Sequence, residues 1–268
     1  NYLYSFWNYN EREEYYLNED RCHSNNFIAY QGLADYYLLK SKPQEIVALL
    51  QDKQVYKFLS NTHKRYAYFK TKQYIKYSVV VFERFFNVFN IYGLLGALLI
   101  LVIWLIYLVK IHKYVVEELI TVFLVLVLGM IFAFLTSLLT DFNRYVFDFY
   151  RTYNFFHDFY YCVVGIGLIE EFVKIIPLIL VITFTRKLNE PIDYIVFASI
   201  SALGFAFIEN MIYFEDSGLK TIQGRALTAT VIHMFNSSLV AYGIVIGKYA
   251  KKKNVGLYFI LFYLISAI

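Results

Sequence analysis

Six apolar segments, 91–109, 119–139, 159–184, 192–214, 222–247 and 255–268, follow one another with only short polar breaks between them. A helix needs ~20 apolar residues to cross the hydrocarbon core of a bilayer, and all but the last segment come close to that length. Lipid offers the backbone no hydrogen-bond partner, so such segments cross only as α-helices or as closed barrels. Lengths near twenty select helices. The chain is therefore expected to be all-α, a polytopic transmembrane helix bundle of six spans, and a multi-pass integral membrane protein with the lipid bilayer as its first partner. Composition agrees: 59% of the residues are hydrophobic and 17% are charged, a balance unlike that of an ordinary globular domain. The 27 Tyr and 26 Phe make aromatic bulk a large part of the apolar surface. A net charge of +4 gives no reason to expect nucleic acid as a partner. Cys22 and Cys162 lie far apart and form no disulfide framework or thiolate metal pattern.

Residues 1–88 contain no span-length apolar segment and are expected to form a polar, helical region, separate from the transmembrane domain at 89–268. Residues 27–40 and 44–50 read as two helices joined at Ser41-Lys42-Pro43, where Pro suits a helix start. Ala34-Asp35-Tyr36-Tyr37 with Ile46 and Leu50 resembles a tetratricopeptide-type hairpin, and a weaker echo runs from Tyr66 through Phe69 to Phe82. This region is a candidate for binding a protein partner. Lys64, Arg65, Lys70, Lys72, Lys76 and Arg84 form a basic approach to the bilayer, suited either to anionic lipid or to a solvated face. Residues 141–158 mix Phe and Tyr with Asp and Arg, which suits an interfacial helix or a lid. The last apolar run stops short of a span, so the transmembrane domain is expected to be C-terminally incomplete.

Cations orient the spans. Lys110 and Lys113, then Arg186 and Lys187, then Lys248, Lys251, Lys252 and Lys253 occupy alternate connections, which the positive-inside rule puts in the cytoplasm. The N-terminal region is then expected outside. Ala198, Ala202 and Ala206, and likewise Gly243 and Gly247, recur at helical spacing. Small residues in that pattern let membrane helices approach closely, so the fourth and fifth spans are expected inside the bundle.

Against this background, the charges inside the spans stand out. Glu170, Glu171 and Lys174 fall near the middle of the third segment, where a charge costs about 2.5–3.5 kcal/mol and marks function by default. Glu209 lies near the end of the fourth segment and His233 about eleven residues into the fifth, which places all of them in one half of the bilayer. Arg225 sits on the same side. Lys174 is spaced to pair with Glu170, Tyr213 to serve Glu209, and Asn236 and Ser237 share a helical face with His233. Three acids, an imidazole, an amide (Asn210 or Asn236) and cations at one depth are the groups that activate water and stabilise an oxyanion. The same Glu and His atoms also suit a Zn²⁺ site with one Glu left as base. The residues leave that choice open, with the metal-free version favoured because no second His is visible.

Glu-Glu-Phe-Val-Lys at 170–174, Gly-Phe-Ala-Phe-Ile-Glu-Asn at 204–210, Arg225-Ala226-Leu227 and His233 resemble the PrsW family of intramembrane proteases, a relative of the CAAX prenyl endopeptidases and the Abi proteins. The resemblance implies a glutamic-type or metal-dependent peptide hydrolase. Its expected substrate is a membrane-anchored protein, typically a single-pass regulator such as an anti-sigma factor, in the cytoplasmic membrane of a bacterium. It also implies a further His-containing motif in a later helix. Glu170, Glu171, Glu209 and His233 are the expected catalytic set, or the metal ligands if a metal is present, supported by Lys174, Asn210, Arg225 and Asn236. Glu170 or Glu171 would be the base, with His233 and Asn236 at the oxyanion. Two other classes place the same groups at depth: a proton- or ion-coupled transporter, and a non-catalytic relative that binds a membrane protein.

Overall fold

The computed structural model describes residues 27–87, 91–111, 119–152, 154–185, 188, 190–217, 221–250 and 254–268, and every regular element among them is helical. The described chain divides at Phe86/Asn87 into two compact units. The loop cations Lys113, Arg186, Lys187, Lys251, Lys252 and Lys253, and also Cys22, lie outside the described residues.

The first unit contains α1 (Phe27–Leu39), α2 (Pro43–Leu49), α3 (Lys53–Phe58), α4 (Asn61–Lys70) and α5 (Tyr74–Asn87). Pro43 opens α2, where its missing N–H leaves no bond unmade, and Ser41 turns the chain with φ 53°. Asp52 and Ser60 cap α3 and α4 by accepting from backbone N–H groups. Ala34, Ile46, Ala67 and Val80 are fully enclosed between these helices. His63 ties α4 to α1: Nε2 lies 2.8 Å from Asp35 Oδ1 and Nδ1 lies 2.8 Å from Ser60 Oγ. The expected basic surface is smaller than its sequence suggests. Lys64 and Arg65 are buried, and the Lys64 ammonium lies 4.2 Å from the centre of the Tyr56 ring. Burial holds the Lys64 pKa below its ordinary value, partly opposed by the Glu83 carboxylate.

The second unit begins with α6 (Ile91–Ile111) and α7 (Leu119–Val146). Next, α8 (Phe155–Tyr160) runs through a π-helical turn at Tyr161–Gly167 into α9 (Leu168–Phe184). After α10 (Pro191–Ser217), the single turn α11 (Ile222–Gly224) passes through a second π turn, Arg225–Ala229, into α12 (Thr230–Val245). A third π turn, Ile246–Ala250, precedes α13 (Val255–Ser266). Two expectations change here. Residues 141–146 extend α7 instead of forming a separate interfacial helix. Among the described residues four helices, not six, are long and apolar enough to cross a membrane: Ile91–Lys110, Leu119–Val146, Pro191–Phe214 and Arg225–Tyr249. The third expected span misses that description because α9 carries Glu170, Glu171 and Lys174, and α13 misses it because it has 12 residues. The architecture remains an all-α, polytopic helical bundle.

Helix α10 is the axis of this unit. Phe197, Ala198, Ile200, Ala202, Leu203 and Ala206 are each at most 1% exposed, so it is apolar and enclosed around most of its circumference. It meets α7 at a reciprocal glycine crossing. A Cβ on Gly129 would strike the Ser201 carbonyl, and one on Gly204 would strike the Leu126 carbonyl. Gly243 and Gly247 instead receive α13, through Tyr258, Phe262 and Val255. Hydrogen bonds pin the remaining neighbours: Ser201 Oγ donates to the Lys174 carbonyl on α9 (2.5 Å), and Ser199 Oγ meets Ser238 Oγ on α12 (2.7 Å). Trp104 Nε1 donates to the Ala226 carbonyl (3.1 Å), and Tyr263 OH donates to the Leu168 carbonyl (2.5 Å).

Gly129→Ala and Gly204→Ala should each destabilise the bundle by about 1–3 kcal/mol, because the obstructing atoms are backbone and cannot swing aside. Thermal denaturation in detergent, followed by fluorescence-detected size-exclusion chromatography, should show a lower midpoint for both. Gly224→Ala, where an added Cβ meets nothing within 4 Å, serves as the control.

Candidate active site

Three helices deliver the polar groups. Helix α9 supplies Glu170, Glu171 and Lys174 within one turn. Helix α10 places Ser201, Phe205 and Glu209 on one face at successive four-residue steps, with Asn210 beside them. The π turn Arg225–Ala229 and α12 supply Arg225, Thr230, His233, Asn236 and Ser237. A π turn adds a residue to the helical repeat and re-aims the side chains around it.

Lys174 lies at the centre with its side chain 1% exposed. Its ammonium donates to Glu171 Oε1 at 2.5 Å, sits 2.9 Å from His233 Nδ1 and 3.6 Å from Glu170 Oε2, and lies 5.0 Å from the Phe205 ring centre. Sequence spacing favoured Glu170 as its partner. The i, i+3 neighbour Glu171 takes the short contact instead, because Ser237 Oγ (3.2 Å) and Asn236 hold the Glu171 carboxylate on the inner side.

His233 joins the two carboxylate helices. An ammonium can only donate, so Nδ1 is the acceptor from Lys174 and the ring proton sits on Nε2, which donates to Glu209 Oε2 at 2.6 Å. The Phe205 ring packs against the imidazole with centroids 5.5 Å apart. Glu209 Oε2 also accepts from Arg225 Nη2 at 2.6 Å, while Arg225 Nε donates to Asn210 Oδ1 at 2.7 Å. Asn210 in turn donates to Thr230 Oγ1 at 3.2 Å. The Arg225 guanidinium lies 4.0 Å from the centre of the Tyr213 ring. One expected pairing therefore changes: Tyr213, spaced to serve Glu209, packs against Arg225 instead, and Arg225 is engaged by Glu209 and Asn210.

The network has a closed end and an open edge. Glu171 is 3% exposed and Lys174 1%, whereas Glu170 is 19%, Glu209 20% and His233 12% exposed. Glu170, Glu209 and His233 are thus the members of the network that are not fully enclosed. Glu170 Oε2 lies 3.9 Å from His233 Nδ1 and has no short partner of its own among these contacts.

The donors do not fit a metal ion as they stand. A zinc ion needs converging ligands at about 2.0–2.2 Å. Here the Lys174 ammonium fills the space shared by Glu171, Glu170 and His233, and both imidazole nitrogens are in hydrogen bonds. Among the described residues, no three His, Cys, Asp or Glu side chains are disposed to hold one ion.

All eight residues singled out from sequence thus meet in one network. Ser201, Phe205 and Thr230 completed it without being foreseen as site residues. The four-residue steps from Ser201 through Phe205 to Glu209 were a legible signal; Thr230 had none. Cys162 is exposed.

Comparison with known proteins bears on the same segment. The family model described as "PrsW family intramembrane metalloprotease" matches residues 117–268, more than half of the chain. Relatives named "Protease PrsW" include those of Geobacillus kaustophilus (34% identical over 88 residues, 33% of this chain and 39% of that protein) and Oceanobacillus iheyensis (35% over 112 residues, 38% and 49%). That of Clostridioides difficile is 34% identical over 131 residues, 47% of this chain and 52% of that protein. The chain spans about half the length, or less, of these curated relatives. No solved structure matches it. The matched segment holds three of the bilayer-length apolar helices and the whole buried charge network, and the chain belongs to the PrsW family of integral membrane proteins.

Proposed function

We propose that the chain is an endopeptidase that hydrolyses a peptide bond of a membrane-anchored protein in or near the bilayer, in the cytoplasmic membrane of a bacterium. Its substrate class is a single-pass protein of the anti-sigma type. The observation that carries this reading is the asymmetry of the network. Glu171 and Glu209 are each held by two or more donors, while Glu170 stands at the open edge with its nearest charged groups, Lys174 and His233, at 3.6 and 3.9 Å.

In this reading Glu170 Oε2 is the general base. It takes a proton from a water as the water oxygen bonds to the scissile carbonyl carbon. His233 Nε2–H and the Asn236 amide, which donate to Glu209 and Glu171 in the resting site, turn to the oxyanion that forms, where buried donors act more strongly than in water. Glu170 then returns the proton to the amide nitrogen as the carbon–nitrogen bond breaks. Lys174 and Arg225 are positioning residues: they match two of the three carboxylates and keep Glu171 and Glu209 fixed. No step requires a metal, in contrast to the family's printed description, because the donors do not converge on a metal position. The N-terminal unit is a candidate to hold a protein partner.

Glu170→Gln should lower cleavage of a co-expressed, doubly tagged single-pass membrane protein by ~10²–10⁴-fold while leaving thermal stability near wild type. Glu171→Gln should also lower stability, by about 3–5 kcal/mol, because it leaves the Lys174 ammonium buried without its short partner. Processing that is unchanged in Glu170→Gln and in His233→Ala would count against hydrolysis and favour the transport or binding-only classes.

Purified protein dialysed against EDTA should retain cleavage and carry less than stoichiometric metal by plasma mass spectrometry. Activity that disappears on chelation and returns with Zn²⁺ would overturn the metal-free mechanism.

A further inference from the structure

Helix α5 is apolar on two faces, and the first unit uses only one of them. Tyr77, Val80 and Val81 are at most 5% exposed and form its inward stripe. On the opposite side Ile75 and Val79, one turn apart, are 84% and 48% exposed, and Phe82 continues the row at 52%. Tyr74, at the start of the helix, is also exposed. Lys72 and Lys76 flank this outer row from exposed positions, and the Lys76 ammonium lies 5.6 Å from the Tyr68 ring centre. An isolated exposed aliphatic residue needs no explanation, but a row of them along one helix marks a contact surface.

Chain connectivity argues for lipid as the occupant of that surface. Helix α5 ends at Asn87, and α6, 21 residues of almost unbroken hydrocarbon, begins at Ile91. Four Cα–Cα steps of 3.8 Å reach at most ~15 Å, so the end of α5 cannot leave the neighbourhood of the membrane surface. A helix with an apolar row, aromatic residues and flanking lysines suits the boundary between headgroups and acyl chains. We propose that α5 is a membrane-surface helix. Its Ile75–Val79 face inserts into the lipid interface, anchoring the first unit against one leaflet, while the Tyr77–Val80–Val81 face holds the unit together. The surface is set by this apolar row and not by the full run of basic residues, since Lys64 and Arg65 point inward. The proposal is independent of the hydrolase reading.

The test uses the full chain with Cys22→Ser and Cys162→Ser, reconstituted in phosphatidylethanolamine–phosphatidylglycerol vesicles. A nitroxide is placed in turn at Ile75→Cys and Val79→Cys, with Leu99→Cys on α6 as the lipid reference and the exposed Gln51→Cys as the water reference. Power-saturation electron paramagnetic resonance then compares collision with oxygen, which partitions into lipid, and with a water-soluble nickel chelate. The expected result is an oxygen-to-nickel accessibility ratio at 75 and 79 several-fold above that of Gln51→Cys and approaching that of Leu99→Cys. A ratio equal to the water reference would overturn the proposal. So would low accessibility to both quenchers, which would show that protein covers this face, whether from this chain or from a second copy.

Discussion

The buried ammonium of Lys174 is the interaction on which the site depends. A cation enclosed in a membrane helix is tolerable only if acceptors surround it, and Glu171, His233 and Glu170 do so within 3.6 Å. Each acceptor comes with a constraint. Glu171 is fixed by Ser237 and Asn236 of α12, and His233 is committed to one tautomer, which directs its Nε2 proton at Glu209 on α10. One charge thereby locks three helices into register.

That arrangement requires helices that pass close to one another. Gly129 and Gly204 let α7 and α10 meet at backbone contact, and Ser201, in the same crossing, reaches the Lys174 carbonyl. The crossing sits one turn from Phe205 and two from Glu209, so steric permission in the apolar part of the bundle sets the depth at which the carboxylate appears. The π turns serve the same end by a different route. The one at Arg225–Ala229 lies between Arg225 and His233, the two residues that hold Glu209 Oε2.

The polar residues of the site were legible because membrane helices make them conspicuous. In a run such as 159–184, a carboxylate or ammonium has no bland explanation, and depth along each span could be counted at a fixed rise per residue. Glu170, Glu171, Lys174, Glu209 and His233 were found that way. Pairing within the network was less legible. An i, i+4 step favoured Glu170 as the partner of Lys174, yet the donors on α12 decided for Glu171, and no local spacing encodes a neighbour on another helix. The span count changed for two reasons: the charges of α9 remove it from the helices apolar enough to cross alone, and α13 has 12 residues.

Sequence by itself determined that this chain is a bundle of membrane helices with acids, a lysine and a histidine at a shared depth, because hydropathy and helical rise are local properties. Only the tertiary structure decided which carboxylate is enclosed and which faces the opening, how the imidazole proton is directed, and that Lys64 and Arg65 turn inward while Ile75 and Val79 turn out. Those outcomes depend on which groups from separate helices reach the same few cubic ångströms. Packing settles that, and no single segment carries the information.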